Sequence, residues 1–518
     1  MTEANTYDEV PYPDLAFPQT HPNRIGAMAS LFGMTPPPPE TARVLELGCA
    51  AGANLLPMGV EFPHAEFLGL DLSVGQIEAG EAIRKAAAIE NVTLRQADIL
   101  QLDASLGKFD YIIAHGLFSW VPEIVQEKVL DICRDNLAPN GVAYISYNVY
   151  PGWHFRGALR SMMMYHAEGF ADPRTRIQQG RALVDFLANH AKAGFYTEML
   201  KAGAELIKND SDNYLYHEYL EVENHPVYFH EFVRRANAKA LDYLTGTQLP
   251  SVAARTLNPG AEQVMNRIAA GDRVRTEQYT DFLTNRTFRE SLLVHQAQPV
   301  RNQPDWQPIR HLWISHSLLP KNKSLDPGSR VAAVFASRSG VEIALKDPFV
   351  KTALMVILEN HGNPVHFPAL LATLRARMNS TRSPESDEAE LGRFILELLG
   401  HGVAEVFMHP WPSASATGER PRASRLARAQ AAAGRTIVTL RHQRLDDASA
   451  DHRRLIELFD GEATLDQAIE RMFERVDMNR LPEAARKAAG NPARLRGMFE
   501  DAMRQAITEL RDLGLFLE

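Results

Sequence analysis

The chain has 518 residues, length enough for roughly three or four domains. Hydrophobic residues make up 45% and charged residues 23%, which excludes an extended disordered chain and leaves ample material for a core. With 55 basic and 64 acidic residues the net charge is −9, which argues against binding nucleic acid or a membrane over the whole surface, though not through a local basic patch.

Two cysteines, Cys49 and Cys133, are too few for a disulfide framework or a Cys-rich zinc site and suit a reducing cytoplasm. No metal site is expected. The start, MTEANTYDEVPYPDLAF, is acidic and broken by proline, so no secretory leader is expected there. No run of 18 apolar residues occurs, so no membrane span is expected.

Residues 1–40 read as an aromatic, proline-punctuated arm with the run QTHP at Gln19–Pro22, ending at PPPPE (Pro36–Glu40). Strand and helix periods then alternate. Strands are expected at Thr41–Leu47, Glu66–Leu72, Val92–Gln96, Phe109–Ala114 and Val142–Asn148. Helices are expected at Asn54–Glu61, Val74–Ala88 and Pro122–Asn136, the last closed by the turn APNG. This alternation predicts βαβ units and a doubly wound parallel sheet of the α/β class. A helical insertion follows at about 156–223. Asn224–Thr247 reads as helix then strand, and Thr287–His295 as another strand. Both strands are expected to complete the same sheet, giving one domain over residues 1–300.

Further on, 301–345 reads as an irregular connector and 346–412 as a winged-helix-like α+β module. The stretch 413–450 reads as an Arg-rich linker, in which Arg420–Arg444 holds seven arginines and no acid. Residues 451–518 read as a second winged-helix-like module. The arginine run suits an acidic partner, nucleic acid or the chain's own acidic surface. A solvated helix, or one docked on that acidic surface, is favoured; in the modules, the middle helices mix charges. Protein interaction or a homodimer is expected of the modules rather than DNA binding.

The stretch VLELGCAAGAN (Val44–Asn54) is the first that looks chemical. A strand ending on Glu46 enters a turn of small residues: Gly48, Cys49, Ala50 and Gly52, before Asn54. A turn there lies at the C-terminal edge of the sheet, where ligands of doubly wound folds bind. Dinucleotide sites want glycines at 50 and 53, but alanines stand there, and no Lys-Ser/Thr pair marks a P-loop. Acids instead follow successive strands: Glu46, Asp71 and Asp98. A crevice lined with negative charge repels pyrophosphate and suits a cation.

ELGCAAG, GLDLS (Gly69–Ser73), ADIL (Ala97–Leu100) and FDYIIAHGLFSWVP (Phe109–Pro122) resemble the successive motifs of class I S-adenosylmethionine-dependent methyltransferases. Ala50 departs from the family's usual middle glycine. TYDEVPYP, QTHP, HGLFSWVPE, SYNVYPGWH, NHPVYFHEF and DFLTNRTFRESLL resemble a bacterial subgroup with an attached methyltransferase regulatory domain, to which rickettsial protein-lysine methyltransferases are similar. The resemblance implies a Rossmann-like seven-stranded sheet and S-adenosyl-L-methionine as cofactor. It implies Glu46 near the cofactor's amino group, the turn Gly48–Gly52 behind its methionine part, Asp71 with Leu72 and Ser73 at the ribose, and Asp98 with Ile99 at adenine. Asn54 is grouped with the cofactor contacts, Cys49 serving only as a small turn residue. His115 and Gly116 would touch cofactor and acceptor, and Tyr12 and Gln19 would close the arm over the site.

Each residue has a purely structural alternative, such as a salt-bridged Glu46 or a helix-capping Asp71. Acceptor-site candidates are Tyr147 and Asn148 in SYNVYPGWH, with His115, because aromatic and polar groups at a strand edge can shape a slot for an amine. His225, Tyr228 and His230 form a second candidate rim. Three functions stay open: methyl transfer to a protein side chain, plausibly lysine; methyl transfer to a small molecule or natural product; and cofactor sensing without catalysis.

Overall fold

The computed structural model describes residues 14–249, 259–322, 324–360, 362–411, 418–445, 448–474 and 491–517. Five strands lead the fold: β1 (Arg43–Leu47), β2 (Glu66–Asp71), β3 (Val92–Gln96), β4 (Phe109–Ala114) and β5 (Leu137–Asn148). β1, β4 and β5 are largely buried because both faces of the sheet are covered. Their mutual pairing is parallel, as required when each strand is followed by a crossover helix. β6 (Leu241–Gly246) and β7 (Phe288–His295) complete the sheet in the order β3-β2-β1-β4-β5-β7-β6. β7 runs antiparallel to both of its neighbours. Between β5 and β6 three helices, Gly152–Ala167, Pro173–His190 and Phe195–Lys208, build a separate layer with its own apolar core around Leu159, Met163, Val184 and Leu200.

The two faces of the sheet differ in what covers them. Val44, Ile113, Tyr144 and Leu292 face the arm helix Pro22–Leu31 and the helices Leu55–Glu61 and Val74–Ala86. Leu45, Ile112, Ile145 and Tyr147 face Glu123–Asn136 and Phe229–Ala238. On this second face Arg289 of β7 is 4% exposed. Its guanidinium meets Asp281 at 2.7 and 2.9 Å and Glu277 at 2.9 Å, and lies 3.7 Å over the Phe229 ring. Such a group is tolerated inside only because its donors are shared between two carboxylates.

Two boundaries differ from the sequence reading. The expected connector, 301–345, contains the strand β8 (Trp313–His316), which is the middle strand of a three-stranded sheet with β12 (Val365–His366) and β13 (Ala404–Phe407). Its β9 (Leu319–Pro320), β10 (Ala333–Ala336) and β11 (Glu342–Leu345) form another small sheet. Strands this short carry too little periodicity to stand out from loop. The Arg-rich stretch is also no linker. Its helix Arg425–Ala432 buries Ala427 and Ala431 in one core with Ile456, Ile507 and Phe516, and buries Leu426 in the core of the sheet's first face. Three of its arginines are held within the chain: Arg435 meets Asp14 at 2.7 Å, and Arg420 and Arg441 bond to Glu462 and Asn363. No helix among the described residues is long and apolar enough to cross a membrane.

Arg289→Met, which leaves Glu277 and Asp281 buried without their shared cation, should lower stability by about 3 kcal/mol or more. Urea denaturation followed by circular dichroism checks this.

Candidate active site

The turn after β1 has three residues in the left-handed region: Gly48 (φ 74°), Ala50 (φ 46°) and Gly52 (φ 70°). An added Cβ would lie 3.2 Å from Leu117 at Gly48 and 2.9 Å from Leu94 at Gly52, so a side chain at either would press on its neighbour as well as strain the backbone. Ala50 adopts the same conformation despite its Cβ, which costs an alanine about 1 kcal/mol. What holds it there is Asp71, whose Oδ2 accepts the Ala50 N–H at 2.8 Å. The other oxygen of Asp71 accepts the Ser73 N–H at 2.9 Å. Asp71 is therefore not the cap of the helix Val74–Ala86; Ser73 is, accepting from Gln76 N–H at 3.1 Å. Cys49 is buried and packs against Gly69, and burial pushes its thiol well above the ordinary range, so it fills space.

Glu46 is 3% exposed. Its Oε1 accepts from Asn54 Nδ2 at 2.9 Å, while Oε2 is buried without a partner. Burial pushes its carboxyl up to about 8, against the opposing pull of the Asn54 hydrogen bond and helped by the Asp71 charge. An orphaned buried carboxylate oxygen is costly unless a cation comes to it. Asn54 also gathers the arm: its Oδ1 accepts from Phe17 N–H at 3.0 Å and lies 3.2 Å from the Thr20 hydroxyl. Further along the strand ends, Leu72 is 58% exposed. Asp98 is exposed and accepts the Leu100 N–H at 2.9 Å, with Ile99 half-buried beside it. Leu72 and Ile99 thus offer apolar surface beside the carboxylates of Asp71 and Asp98.

Beyond β4, His115 packs against Phe17 with ring centroids 3.7 Å apart and tilted, and its Nδ1 lies 2.7 Å from the Tyr144 hydroxyl. Burial lowers the imidazole to about 3, so it stays neutral. The Gly116 N–H donates to Ser146 Oγ at 2.8 Å, and open space lies where a Gly116 side chain would point. Gln19 Nε2 donates to Glu290 Oε1 at 2.9 Å, and the Thr247 hydroxyl bonds the other oxygen. Tyr12 lies outside the described residues.

Tyr147 corrects the sequence reading. Its side chain points to the opposite face, 1% exposed, stacked on Phe232 at 3.9 Å with its hydroxyl 2.8 Å from Ser291 Oγ. Strand alternation puts Tyr144 and Ser146, not Tyr147, on the His115 side. Asn148 is buried at the end of β5, its Nδ2 donating to Asn224 Oδ1 at 3.2 Å. The second rim is spent on local structure: His225 pairs with Glu223, Tyr228 sits at the N-cap of its helix, and His230 Nδ1 lies 2.9 Å from Gln278. Among the described residues no group of His, Cys, Asp and Glu could hold a metal. Two surface hollows of about 570 and 580 Å³ lie elsewhere, one beside Phe394 and one beside Arg301; neither includes a residue of this strand-edge crevice. Sequence reasoning missed Asn54 as a hub, and Phe17, Tyr144 and Glu290. Glu290 sits inside the expected strand Thr287–His295, but only the antiparallel return of β7 brings it to the site.

Three family descriptions match the chain: "Methyltransferase domain" at residues 39–193, "Predicted methyltransferase regulatory domain" at 211–295, and "PKMT, C-terminal winged helix domain" at 419–515. The chain is 37% identical over 393 residues to the uncharacterized protein RP789 of Rickettsia prowazekii, covering 74% of this chain and 70% of that protein. It is similar to the solved structure of PKMT2 from Rickettsia typhi, with a TM-score of 0.87 and 30% identity, over 98% of this chain and 100% of that one. PKMT2 has also been solved in complex with AdoHcy, where the TM-score is 0.85.

Ala50→Gly should remove the left-handed strain and raise stability by roughly 0.5 kcal/mol, part of the gain being lost to the greater freedom of unfolded glycine. Equilibrium unfolding in urea measures it, and cofactor affinity should stay as it is.

Proposed function

The chain belongs to the class I S-adenosylmethionine-dependent methyltransferases, and from that premise we propose that it transfers the methyl group to lysine side chains of a protein. What supports this reading is the extent of the likeness: it runs through 98% of the chain, including the helical layer and both C-terminal parts, and the relative is a PKMT. A domain serving a small metabolite needs no such surface around its cofactor.

The cofactor supplies a methyl group on a positively charged sulfur, which an acceptor nitrogen takes in line as the carbon–sulfur bond breaks. The rest falls to the chain. In this reading Glu46 Oε2 receives the amino group of the methionine part, which would end the isolation of that buried oxygen. The tight turn Gly48–Gly52 lets backbone approach the same part, and Asn54 keeps Glu46 aimed. Asp71, held by its two backbone bonds at the end of β2, would take the ribose hydroxyls, beside Leu72 and Ser73. Asp98 and Ile99 border adenine, and Gly116 leaves open space next to the transferring methyl. Neutral His115 walls that end without adding a positive charge beside the sulfonium. Gln19 brings the arm to the acceptor side, and Asn148 braces the end of β5 through Asn224.

Incubation of unfolded lysine-bearing proteins with labelled cofactor, followed by mass spectrometry, should find methyl groups on lysine. Label confined to small molecules of a metabolite pool would overturn the lysine reading.

Glu46 adds a proton signature. In the empty site its carboxyl, near 8, is largely protonated at about pH 7; pairing with an ammonium drives it to carboxylate. Cofactor binding should therefore release close to one proton at about pH 7, and affinity should rise with pH up to about 8. Calorimetry in buffers of different ionisation enthalpy reads the release, and Glu46→Gln should abolish it. The sign for folding is opposite. The folded value lies above the ordinary 4.5, so the empty protein loses Glu46's contribution as pH rises from that value through 8.

A further inference from the structure

Sheet register carries the site further than the sequence motifs do. Glu46 pairs with Ile113, Ile113 with Tyr144, and Tyr144 with Leu292, so these four share one face and one row. One step toward the C-terminal edge of β5, on the same face, the pairing Ser146–Glu290 continues the row, and His115 stands beside it. The row thus runs from the cofactor turn across β4 and β5 to β7. Along it His115 is neutral, and Tyr144 keeps its proton because burial raises its phenol well above the ordinary range. Beyond Glu46, the carboxylate along this row is Glu290. It is half-buried and held by Gln19 and Thr247, and it also interacts with the Tyr144 hydroxyl. Phe288, two residues earlier on the same face of β7, is 39% exposed and lies 6.0 Å from the His115 ring.

A carboxylate held in place by neutral donors, flanked by an aromatic face and reached past open space at Gly116, matches a slim cation such as an alkylamine. We propose that the acceptor slot runs along this row and that Glu290 binds the acceptor's amino group, with Phe17, Phe288 and His115 as walls. This rests on the methyltransferase reading above and names the group that selects lysine. The bound ammonium first gives a proton to water, which frees the lone pair that attacks; as the nitrogen–carbon bond forms and the carbon–sulfur bond breaks, the sulfur keeps the electron pair. Positive charge passes to the nitrogen. Glu290 faces the place where that charge appears, so its stabilisation grows along the reaction.

The test compares wild type with Glu290→Gln and Glu290→Asp, all as full chains. Calorimetry with S-adenosylmethionine checks the fold of the site, and its affinity should change less than about twofold, because Glu290 lies outside the cofactor's own contacts. Binding of two unstructured Gly/Ser peptides, identical except for a central lysine or norleucine, is measured by fluorescence anisotropy with AdoHcy present. Wild type should prefer lysine by about tenfold, Glu290→Gln should lose that preference, and Glu290→Asp should keep part of it. Methylation of poly-L-lysine should fall about 100-fold in Glu290→Gln. A Glu290→Gln protein that keeps the lysine preference, or a wild type that never shows it, overturns the slot. A wild type that shows the preference yet methylates no lysine polypeptide overturns only the lysine-methylation reading and leaves the binding slot standing.

Discussion

The hydrogen bond from Asn54 to Glu46 is the contact on which the rest of the site depends. Glu46 lies at the end of a buried strand, where water cannot reach it, and only one of its oxygens has a partner. Without Asn54 it would be a fully orphaned acid. Asn54 is itself fixed by both ends of its amide, to Thr20 and Phe17 of the arm on one side and to Glu46 on the other. The arm, the first strand and the first helix are therefore joined at one side chain. That junction leaves a single unsatisfied oxygen in a crevice bordered by Asp71, a combination that selects a cation and penalises a phosphate.

The turn next to it shows a second way of storing and offsetting cost. Ala50 takes a backbone conformation suited to glycine, and Asp71 supplies the charge-assisted bond that holds it. Asp71 thus has a structural duty as well as its place at the crevice. The alanine that looked like a missing glycine is a strained residue tied to an acid on the neighbouring strand.

The sheet was legible because apolar strands and helices of ordinary length repeat at regular spacing from Thr41 to Asn148, and because β6 and β7 are each long enough to show a pattern. The acids at the strand ends were legible for the same reason. Tyr147 was misread because a motif names residues without saying which face they take. One residue of strand alternation separates it from Tyr144 and Ser146, and moves it into the core with Phe232. Glu290 was hidden differently: it joins the site only through an antiparallel pairing between segments more than 140 residues apart, as Ser146–Glu290 shows. The strands between 313 and 345 were hidden by their brevity, being two to four residues each. The role of the arginine stretch was hidden because its composition suggested solvent, whereas half of its helix is alanine and leucine turned inward.

That last helix changes what the site depends on. Leu426 is buried in the core of the sheet's first face, so the C-terminal part is packed into the methyltransferase rather than tethered beside it. A few residues on, His442 donates from Nε2 to the Asn54 carbonyl at 2.9 Å, and its ring meets His21 edge to face at 4.8 Å. His21 in turn bonds Glu61 at 3.1 Å. Asn54 is then gripped through its side chain by the arm and Glu46, and through its backbone by a residue nearly 390 positions later. Burial keeps both imidazoles neutral, so these contacts persist without titrating through the ordinary histidine range. The crevice is thus assembled by three stretches far apart in sequence: the arm, the first turn of the sheet, and the arginine-rich segment. The position of Glu46 follows from all three, and a shift of the C-terminal part on the sheet would move the Asn54 backbone that carries the side chain holding it.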